Sequence, residues 1–287
     1  MIVKEEIKQK MGKEITMAYK IIALDLDGTL TNSEKKITPK TKEALFRIQE
    51  KGIKVVLASG RPTPGVVPLA EELKLKDYGS YILSYNGAKI TNCKTNEAVC
   101  NVTLPKKIIK EVYEEAILQD AGIITYEDGA IVVGNGIDRY IEIEAGINKL
   151  PLKEVDNFVK YVDFDVNKCL LTGHDEHMAR VERNFAKRFG TILNIYRSEP
   201  FFVEIMPKGI DKAESLDNLL KQLGYTREEL ICCGDGFNDL SMIKYAGLGV
   251  AMANAQDKVK EAADFITLSN DEDGVAYVIE KFIEGIE

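Results

Sequence analysis

Short apolar runs alternate with helical patterns through the first 86 residues of the chain. The runs "KIIAL", "IKVVLA" and "SYILSYNG" are rich in Ile, Val and Leu and predict buried strands. Between them, "TPKTKEALFRIQEKG" and residues 64–74 predict helices, the first with Pro39 in its first turn and Gly52 at its end. This alternation is typical of βαβ units and a parallel sheet.

The pattern changes after residue 87. Residues 88–104 predict two strands joined by a polar turn, which is a hairpin rather than a crossover. The segments that follow predict a helix over 105–120, strands near 122–126 and 130–134, a helix near 152–162, a strand over 167–172, a helix over 175–189, and strands near 192–197 and 201–206. An α+β insert over 88–202 is large enough to form its own domain.

From Pro207 the strand and helix alternation resumes. It predicts helices over 211–223, 238–246, 256–263 and 273–284, with strands at "ELICCG", "LGVAM" and "FITL" between them. We therefore predict an α/β fold with a doubly wound, mostly parallel, Rossmann-like core sheet from residues 17–87 and 203–287. The α+β insert interrupts this core, and residues 1–16 form a charged N-terminal extension to which we assign no chemistry.

Composition narrows the function classes. The 287 residues carry a formal net charge of -8. A chain this acidic lacks the basic surface expected of a nucleic-acid binder. No apolar stretch approaches the roughly 20 residues that span a bilayer. The five cysteines are an odd number without CxxC spacing, so free thiols in a cytoplasmic protein are expected.

Polar clusters follow the predicted core strands at their carboxyl ends, where parallel α/β sheets bind ligands. Asp25 and Asp27 follow the first strand, Ser59 and Gly60 the second, and "CGDGFND" ends the "ELIC" strand, while Lys212 begins a helix. Each cluster alone is weak evidence, but together and in this order they are strong. Asp25, Asp235 and Asp239 offer the oxygen ligands that Mg²⁺ prefers, and a cation would offset the repulsion between neighbouring carboxylates.

The segments "DLDGTL", "ASGR", "KGIDK" and "GDGFNDLSM" resemble, in order, the four motifs of the haloacid dehalogenase (HAD) superfamily. An insert between the second and third motifs, preceded by "SYNGA", is similar to the cap domain of Cof-type sugar-phosphate phosphatases. The resemblance covers nearly the whole chain from about residue 19, with all four motifs intact.

The resemblance implies a set of catalytic groups. Asp25 would attack phosphorus and form an aspartyl-phosphate. Asp27 would protonate the leaving alcohol and later accept a proton from water. Lys212 would neutralise charge on the transferring group, and Thr29 would shape the turn that aims Asp27.

The resemblance also implies binding groups for phosphate and for Mg²⁺. Phosphate oxygens would be held by Ser59, by Asn238 and by backbone N–H groups including those of Leu26 and Gly60. The metal would be held by Asp25, the backbone carbonyl of Asp27, Asp235, Gly236 and Asp239, the last through a metal-bound water or through Lys212. Catalysis of phosphoryl transfer by positioning and electrostatics needs this kind of set.

Several polar residues leave two interpretations open. Arg61 is either a phosphate or cap contact or a structural arginine, and Asn86 in "YNGA" either faces substrate or only makes the turn. His174 and His177 in "GHDEH" lack the H-E-x-x-H spacing of a zinc site, so Asp175 as a helix N-cap is favoured. The alternation in "GNGIDRYIEIEAG" favours an exposed strand face over a substrate contact.

We expect a Mg²⁺-dependent, cytoplasmic phosphatase of small phosphorylated metabolites, chiefly sugar phosphates, that is a monomer or homodimer and binds neither nucleic acid nor membrane. The cap would close over the core and set specificity. The alternatives are a phosphomutase, a phosphatase of riboflavin synthesis, and a non-catalytic module that binds a phosphorylated metabolite. A complete set of Asp25, Asp27, Lys212 and Asp235 disfavours the binding module, since a pure binder needs no acid beside a nucleophile.

Overall fold

The structure is a computed structural model and describes residues 19–127 and 129–286. The expected extension over 1–16 lies outside the described residues. Within the described part of the chain, no helix combines the length and the apolar content that crossing a bilayer requires.

The strands of the described residues, in chain order, are β1 (Ile21–Leu24), β2 (Lys54–Ala58), β3 (Tyr81–Ser84), β4 (Lys89–Asn92), β5 (Ala98–Asn101), β6 (Gly122–Glu127), β7 (Ala130–Val133), β8 (Leu152–Glu154), β9 (Cys169–Thr172), β10 (Leu193–Glu199), β11 (Phe202–Pro207), β12 (Leu230–Gly234), β13 (Leu248–Ala251) and β14 (Phe265–Ile266).

The α-helices are α1 (Pro39–Glu50), α2 (Thr63–Glu72), α3 (Leu75–Tyr78), α4 (Lys106–Leu118), α5 (Arg139–Asn148), α6 (Phe158–Tyr161), α7 (Asp175–Phe189), α8 (Lys212–Leu223), α9 (Leu240–Tyr245), α10 (Asp257–Ala262) and α11 (Gly274–Ile279). The last of these continues into a π-helical turn over Glu280–Glu284.

The core is one eight-stranded sheet in the order β14-β13-β12-β1-β2-β3-β4-β5. All pairs from β14 to β3 are parallel, and β3-β4 and β4-β5 are antiparallel. The chain leaves the central strand β1 toward β2 on one side and returns later as β12 on the other. A ligand crevice is expected where the order switches in this way. The predicted α/β fold with a mostly parallel core sheet is confirmed.

Side chains of the central strand alternate between two helix layers. Ile22 and Leu24 pack in the cluster that contains α1, α2, α10 and α11, whereas Ile21 and Ala23 pack in the cluster that contains α8 and α9. Because both faces of β1 are buried, the strand is apolar throughout. The polar residue that follows β1 therefore marks the carboxyl end of the strand.

The insert forms a six-stranded sheet in the order β10-β11-β9-β6-β7-β8, and we call this sheet with α4 to α7 the cap. One face of the sheet, with Ile123, Leu171 and Val203, packs on Val112 of α4 and Phe185 of α7. The alternate positions, such as Leu170 and Phe202, face the core and the site. The cap therefore covers the site with the face opposite α4 and α7, on which α5 packs through Tyr140 and Ile141.

The sheets divide the chain differently from the expected boundaries at residues 88 and 202. The hairpin β4-β5 extends the core sheet, because the chain reverses directly after β3 and pairs with it. Strand β11, Phe202–Pro207, belongs to the cap sheet. The helix predicted near 152–162 is wrong: β8 pairs in parallel with β7, and only a short helix, α6, begins after the N-cap Asn157.

Candidate active site

Three aspartates from two distant segments meet at the carboxyl ends of the central strands. Asp25 follows β1 directly, and Asp235 and Asp239 follow β12. Each offers a carboxylate oxygen such that the three oxygens lie within 4.8 Å of one another. The parallel pairing of β1 with β12 places their ends side by side, so the sheet itself creates this acidic cluster.

Lys212, the first residue of α8, extends into this cluster and is fully buried. Its Nζ donates hydrogen bonds to Oδ1 of Asp25 at 2.7 Å, to Oδ1 of Asp239 at 2.6 Å and to the carbonyl of Ala58 at 2.8 Å. Each of the three N–H groups of the ammonium therefore has an acceptor, and the positive charge is held in place next to Asp25.

Both carboxylate oxygens of Asp239 accept hydrogen bonds from other residues of the protein. Besides Lys212 at Oδ1, its Oδ2 accepts the backbone N–H groups of Asp235 at 3.0 Å and of Gly236 at 2.9 Å. The residue thus fixes the ammonium group and the loop after β12. Asp239 was expected to hold either a metal-bound water or Lys212, and it accepts a hydrogen bond from Lys212.

Burial and like charge work against ionisation of the aspartates. Burial, with the nearby charge of Asp239, raises the pKa of Asp25 to about 8 even though Lys212 opposes the shift. Burial also raises the pKa of Asp235 to about 6, against the hydrogen bond from Thr29. Burial would lower the pKa of Lys212, but Asp239 and Asp25 outweigh it and raise that pKa. The site favours an added cation.

The donor set fits Mg²⁺. Asp25 uses Oδ1 for Lys212, and Asp235 uses Oδ1 for Thr29. The second oxygen of each carboxylate has no protein hydrogen bond among the described residues, and the two carboxylates are close enough to share one ion. Two hard oxygens next to an open cavity, which leaves room for water and phosphate, are the kind of ligand set that Mg²⁺ takes.

Gly28 lets the two loops approach. Its φ of +87° lies in the region that glycine adopts at no steric cost, and a Cβ built there would lie 2.4 Å from Oδ2 of Asp235. The hydroxyl of Thr29 donates a hydrogen bond to Asp235 at 2.8 Å. Thr29 therefore positions a carboxylate that would bind the metal, in addition to its expected role in the turn.

Asp27 is held by two cations. Arg61 donates to both of its oxygens, from Nε to Oδ2 at 2.8 Å and from a terminal nitrogen to Oδ1 at 2.7 Å, and Lys35 donates to Oδ1 at 2.8 Å. Burial opposes ionisation of Asp27, but the bonds from Arg61 and Lys35 outweigh it and lower the pKa. The structure thus brings Arg61 to the site, and it adds Lys35, which the sequence motifs did not single out.

The loops after β2 and β3 form the other wall. The N–H of Arg61 donates to Oγ of Ser59 at 3.1 Å, and the N–H of Asn86 donates to the carbonyl of Ser59 at 2.9 Å. The backbone N–H groups of Leu26 and Gly60 have no protein acceptor among the described residues. They are free to bind an anion.

Asn86 lies between core and cap. Its side chain accepts from Asn238 at 3.2 Å and donates to the hydroxyl of Tyr196 on β10 at 2.8 Å. Its φ of 51° lies in the left-handed region, which asparagine tolerates better than most residues and often adopts in turns. Asn86 is therefore both a turn residue and part of the site.

A cavity of about 1000 Å³ joins these groups to the cap. Core residues Asp25, Lys212 and Asp235 line one side, and cap residues including Lys168 and Glu204 line the other. A cavity of this size holds a small molecule.

Comparison with known proteins agrees with this geometry. The profile of the haloacid dehalogenase-like hydrolases matches residues 22–279. The chain belongs to this family. A solved haloacid dehalogenase-like hydrolase from Bacteroides thetaiotaomicron is 51% identical, with a TM-score of 0.89, over 92% of this chain and 99% of its own.

Two further relatives of this HAD-like hydrolase carry phosphatase names. The 5-amino-6-(5-phospho-D-ribitylamino)uracil phosphatase YcsE of Bacillus subtilis is 33% identical over 92% of this chain and 96% of its own length. A solved sugar phosphatase of HAD subclass IIB is 27% identical with a TM-score of 0.78, over 92% of this chain and 98% of its own. The predicted HAD membership and phosphatase activity are confirmed.

Sequence reasoning missed the cap residues of this HAD-like phosphatase that line the cavity. Segment 139–148 is the helix α5 and not an exposed strand, with Asp138 as N-cap, so Glu144 is buried and faces the cavity. Glu204 and Tyr196 also line it. No local pattern marks Glu204, because β11 is otherwise apolar and is buried on both faces, and the face that it carries toward the cavity is defined only once the strand order is known.

The histidine segment lies at the start of α7. His174 is the N-cap residue and Asp175 is the first helical residue, so the expected cap at Asp175 is displaced by one position. His177 Nδ1 lies 2.8 Å from Arg180. Among the described residues, the group of ligating side chains close enough to hold a metal ion is Asp25, Asp235 and Asp239.

Proposed function

We propose that this HAD-like phosphatase is Mg²⁺-dependent and hydrolyses small phosphomonoesters, chiefly sugar phosphates, through an aspartyl-phosphate on Asp25. The observation that carries the proposal is the ammonium of Lys212, buried and 2.7 Å from Asp25, beside carboxylates that would hold one divalent ion. Such a site stabilises negative charge that grows on a transferring phosphoryl group.

The first step transfers the phosphoryl group. Lys212 Nζ lies 2.7 Å from the Asp25 carboxylate, and we assign a carboxylate oxygen of Asp25 as the attacking atom. The bond from this oxygen to phosphorus forms as the bond from phosphorus to the leaving oxygen breaks, and the leaving oxygen takes a proton from Asp27. In the second step water attacks the same phosphorus, Asp27 takes its proton, and the carboxylate of Asp25 is restored.

Asp27 must be protonated for the first step, although Arg61 and Lys35 lower its pKa. A phosphate dianion entering the cavity competes for the guanidinium, since planar bidentate pairing suits phosphate as well as carboxylate. Once Arg61 binds phosphate, Lys35 alone opposes the effect of burial, and the pKa of Asp27 rises. Substrate binding thus prepares the acid.

Asp25 and Asp235 would hold Mg²⁺ through side-chain oxygens, with the backbone carbonyl of Asp27 beside them and Gly236 and Asp239 in the adjoining loop. The ion, when bound, supplies positive charge to the phosphoryl oxygens. Asp239 acts through Lys212 and the loop. The phosphate oxygens would be held by Ser59, Asn238 and the N–H groups of Leu26 and Gly60.

Two substrate candidates follow from the relatives. The solved sugar phosphatase supports a sugar phosphate. The Bacillus subtilis relative supports a ribityl phosphate attached to a pyrimidine ring. Both are phosphate esters of a polyol chain. Because the relatives are named phosphatases, a phosphomutase or a non-catalytic binding module is disfavoured.

The test is phosphate release by wild type and Asp25→Asn on p-nitrophenyl phosphate and a panel of sugar and polyol phosphates, with and without Mg²⁺. We expect Asp25→Asn to lose at least about 10³-fold in kcat, because the variant lacks the carboxylate that forms the covalent intermediate. Asp77→Asn, an exposed carboxyl on α3, is the matched control. Near-normal turnover of Asp25→Asn, or turnover unaffected by chelation of Mg²⁺, would contradict the proposal.

The compartment and oligomeric state stay predictions. Cys93, Cys100, Cys169, Cys232 and Cys233 are all free, as a reducing cytoplasm would keep them. We propose a cytoplasmic monomer or homodimer, which fractionation of cells and light scattering would test.

A further inference from the structure

A buried ion pair interrupts the apolar face of the cap sheet that looks onto the cavity. Lys168, just before β9, and Glu204 of β11 are only 3% and 5% exposed. Their neighbours on the same face are Leu170, Phe202 and Met206. Both charges nevertheless line the cavity shared with Asp25 and Lys212.

The contacts of the pair lead to the phosphate side of the core. Lys168 Nζ donates to the carbonyl of Gly60 at 3.1 Å and to Oε1 of Glu204 at 3.4 Å. Tyr196 donates its hydroxyl to Oε2 of Glu204 at 3.1 Å and accepts from Asn86 at 2.8 Å. The pair is thus joined to the two core loops that flank the nucleophile.

Stability does not account for such a pair. Withdrawing two charges from water costs several kcal/mol, and apolar residues of similar size commonly stabilise a core as well or better. The contact of 3.4 Å is also longer than a strong charge-assisted bond. A few polar groups placed in a mostly apolar pocket orient a bound ligand, so these cavity-lining charges point to recognition of a ligand instead.

The cap side chains that line the cavity, which we call the cap wall, carry a net negative charge. The acidic side chains from the cap that line the cavity are Glu144, Glu199 and Glu204, against the cations Lys168 and Arg197. Both cations already have carboxylate partners, Lys168 in Glu204 and Arg197 in Glu182 at 3.0 Å. Among the described cap residues that line the cavity, none offers an unpaired cation to a second anionic group.

We propose that Glu204 and Lys168, with Tyr196, form the subsite that selects a neutral, hydroxyl-bearing leaving group and rejects one with a second phosphate or a carboxylate. Glu204 and Tyr196 supply oxygens that accept hydroxyl protons, and Lys168 supplies a donor. A second anion would meet the uncompensated charge of the acidic wall. This inference rests on the proposed phosphatase function and assigns its leaving-group selectivity to these side chains.

The experiment measures kcat/KM for two sugar phosphates that differ in charge, D-glucose 6-phosphate and 6-phosphogluconate, with p-nitrophenyl phosphate as a reference for the catalytic core. Wild type should prefer the neutral sugar at least tenfold. Glu204→Gln keeps an acceptor for Tyr196 but leaves Lys168 unpaired, so the preference should shift at least tenfold toward 6-phosphogluconate. Lys168→Met should shift the preference the other way.

The control is Glu154→Gln, an exposed carboxyl on β8 of the same sheet outside the cavity, which should keep the wild-type preference. If Glu204→Gln does not fold, as judged by circular dichroism and melting temperature, Lys168→Met decides, through its shift of the preference in the opposite direction. A preference that stays at the wild-type value in the folded variants, or a wild type that prefers 6-phosphogluconate, overturns the subsite. Failure of wild type on all three compounds would overturn the proposed function instead.

Discussion

The hydroxyl of Thr29 donates a hydrogen bond of 2.8 Å to Oδ1 of Asp235, although 206 positions separate the two residues. Thr29 itself is only 1% exposed. The bond leaves Oδ2 of Asp235 as the oxygen open to a metal ion. It also fixes the carboxylate plane, in the way that outer hydrogen bonds orient metal ligands in general.

Thr29→Val keeps the size of this side chain and removes its donor. We expect the Mg²⁺ concentration for half-maximal activity to rise about 10-fold or more, the range found when partners of metal ligands are removed. kcat at saturating Mg²⁺ should fall less. Thr29→Ser keeps the hydroxyl and is the matched control. Equal Mg²⁺ dependence of Thr29→Val and wild type would show that the bond does not position a ligand.

Lys212→Met should strongly reduce turnover while leaving the fold intact when Mg²⁺ is present. The variant removes a buried cation that contacts both Asp25 and Asp239, so kcat on p-nitrophenyl phosphate should fall about 10³-fold. Without Mg²⁺ the unpaired carboxylates should lower the free energy of unfolding by about 3 kcal/mol. Urea titrations with and without Mg²⁺ measure this difference.

A matched comparison for Lys212 is the exposed Lys221 at the other end of α8, which pairs with Asp217. Lys221→Met should leave kcat unchanged. It should change the free energy of unfolding by no more than about 0.5 kcal/mol, as for other exposed pairs. Turnover of Lys212→Met within tenfold of wild type would rule out the proposed role of the ammonium group.

The core part of the site could be predicted from the sequence because its residues occupy one repeated position. Asp25, Ser59 and Asp235 each follow a buried strand, and parallel strands end at the same edge. The cap wall could not be predicted in this way. Which face of β11 carries Glu204 toward the core depends on strand order and register, which the sequence does not state.

The helix α5 shows a second kind of limit. The segment "RYIEIEAG" alternates apolar and polar residues with a period of two, which favours a strand, yet Asp138 caps a helix by accepting from the N–H groups of Tyr140 and Ile141. Glu144 is then buried against Tyr126 and Asn148. Here tertiary contacts and an N-cap outweigh the alternation.

Gly28→Ala tests the close approach of the two acidic loops. The added methyl group would lie 2.4 Å from Oδ2 of Asp235, and φ at +87° is strained for any residue with a Cβ, at a cost of about 1–3 kcal/mol. We expect weaker Mg²⁺ binding and at least a tenfold loss of kcat/KM in a folded protein. Gly129→Ala has a similar φ of +88° but open space around it, so it separates backbone strain from the collision. Equal activity of both variants would remove the collision from the explanation.

The C-terminal turn offers a test of acid stability away from the active site. Glu284 accepts hydrogen bonds from Arg47 of α1, with Nε at 3.2 Å and a terminal nitrogen at 2.8 Å, and from Lys51 at 3.0 Å. The bonds from Arg47 are the main cause that lowers the pKa of Glu284 to about 2, while partial burial opposes them. A carboxyl with a lowered pKa in the folded state stabilises the protein above its unfolded pKa, and this stability is lost as the pH falls through the folded value.

Glu284→Gln should therefore lower the free energy of unfolding by about 1–2 kcal/mol at pH 7, allowing for partial screening of Arg47 and Lys51 by solvent. Because the unfolded carboxyl titrates near pH 4.5 and the folded one near pH 2, the difference from wild type should shrink steadily as the pH falls below about 4.5. Urea unfolding at pH 7, 5, 4 and 3 measures it. Glu43→Gln, an exposed neighbour 3.9 Å from Arg47, should change stability by less than about 0.5 kcal/mol. A difference for Glu284→Gln that stays constant down to pH 3 would mean that its charge does not join α1 to the C-terminal turn.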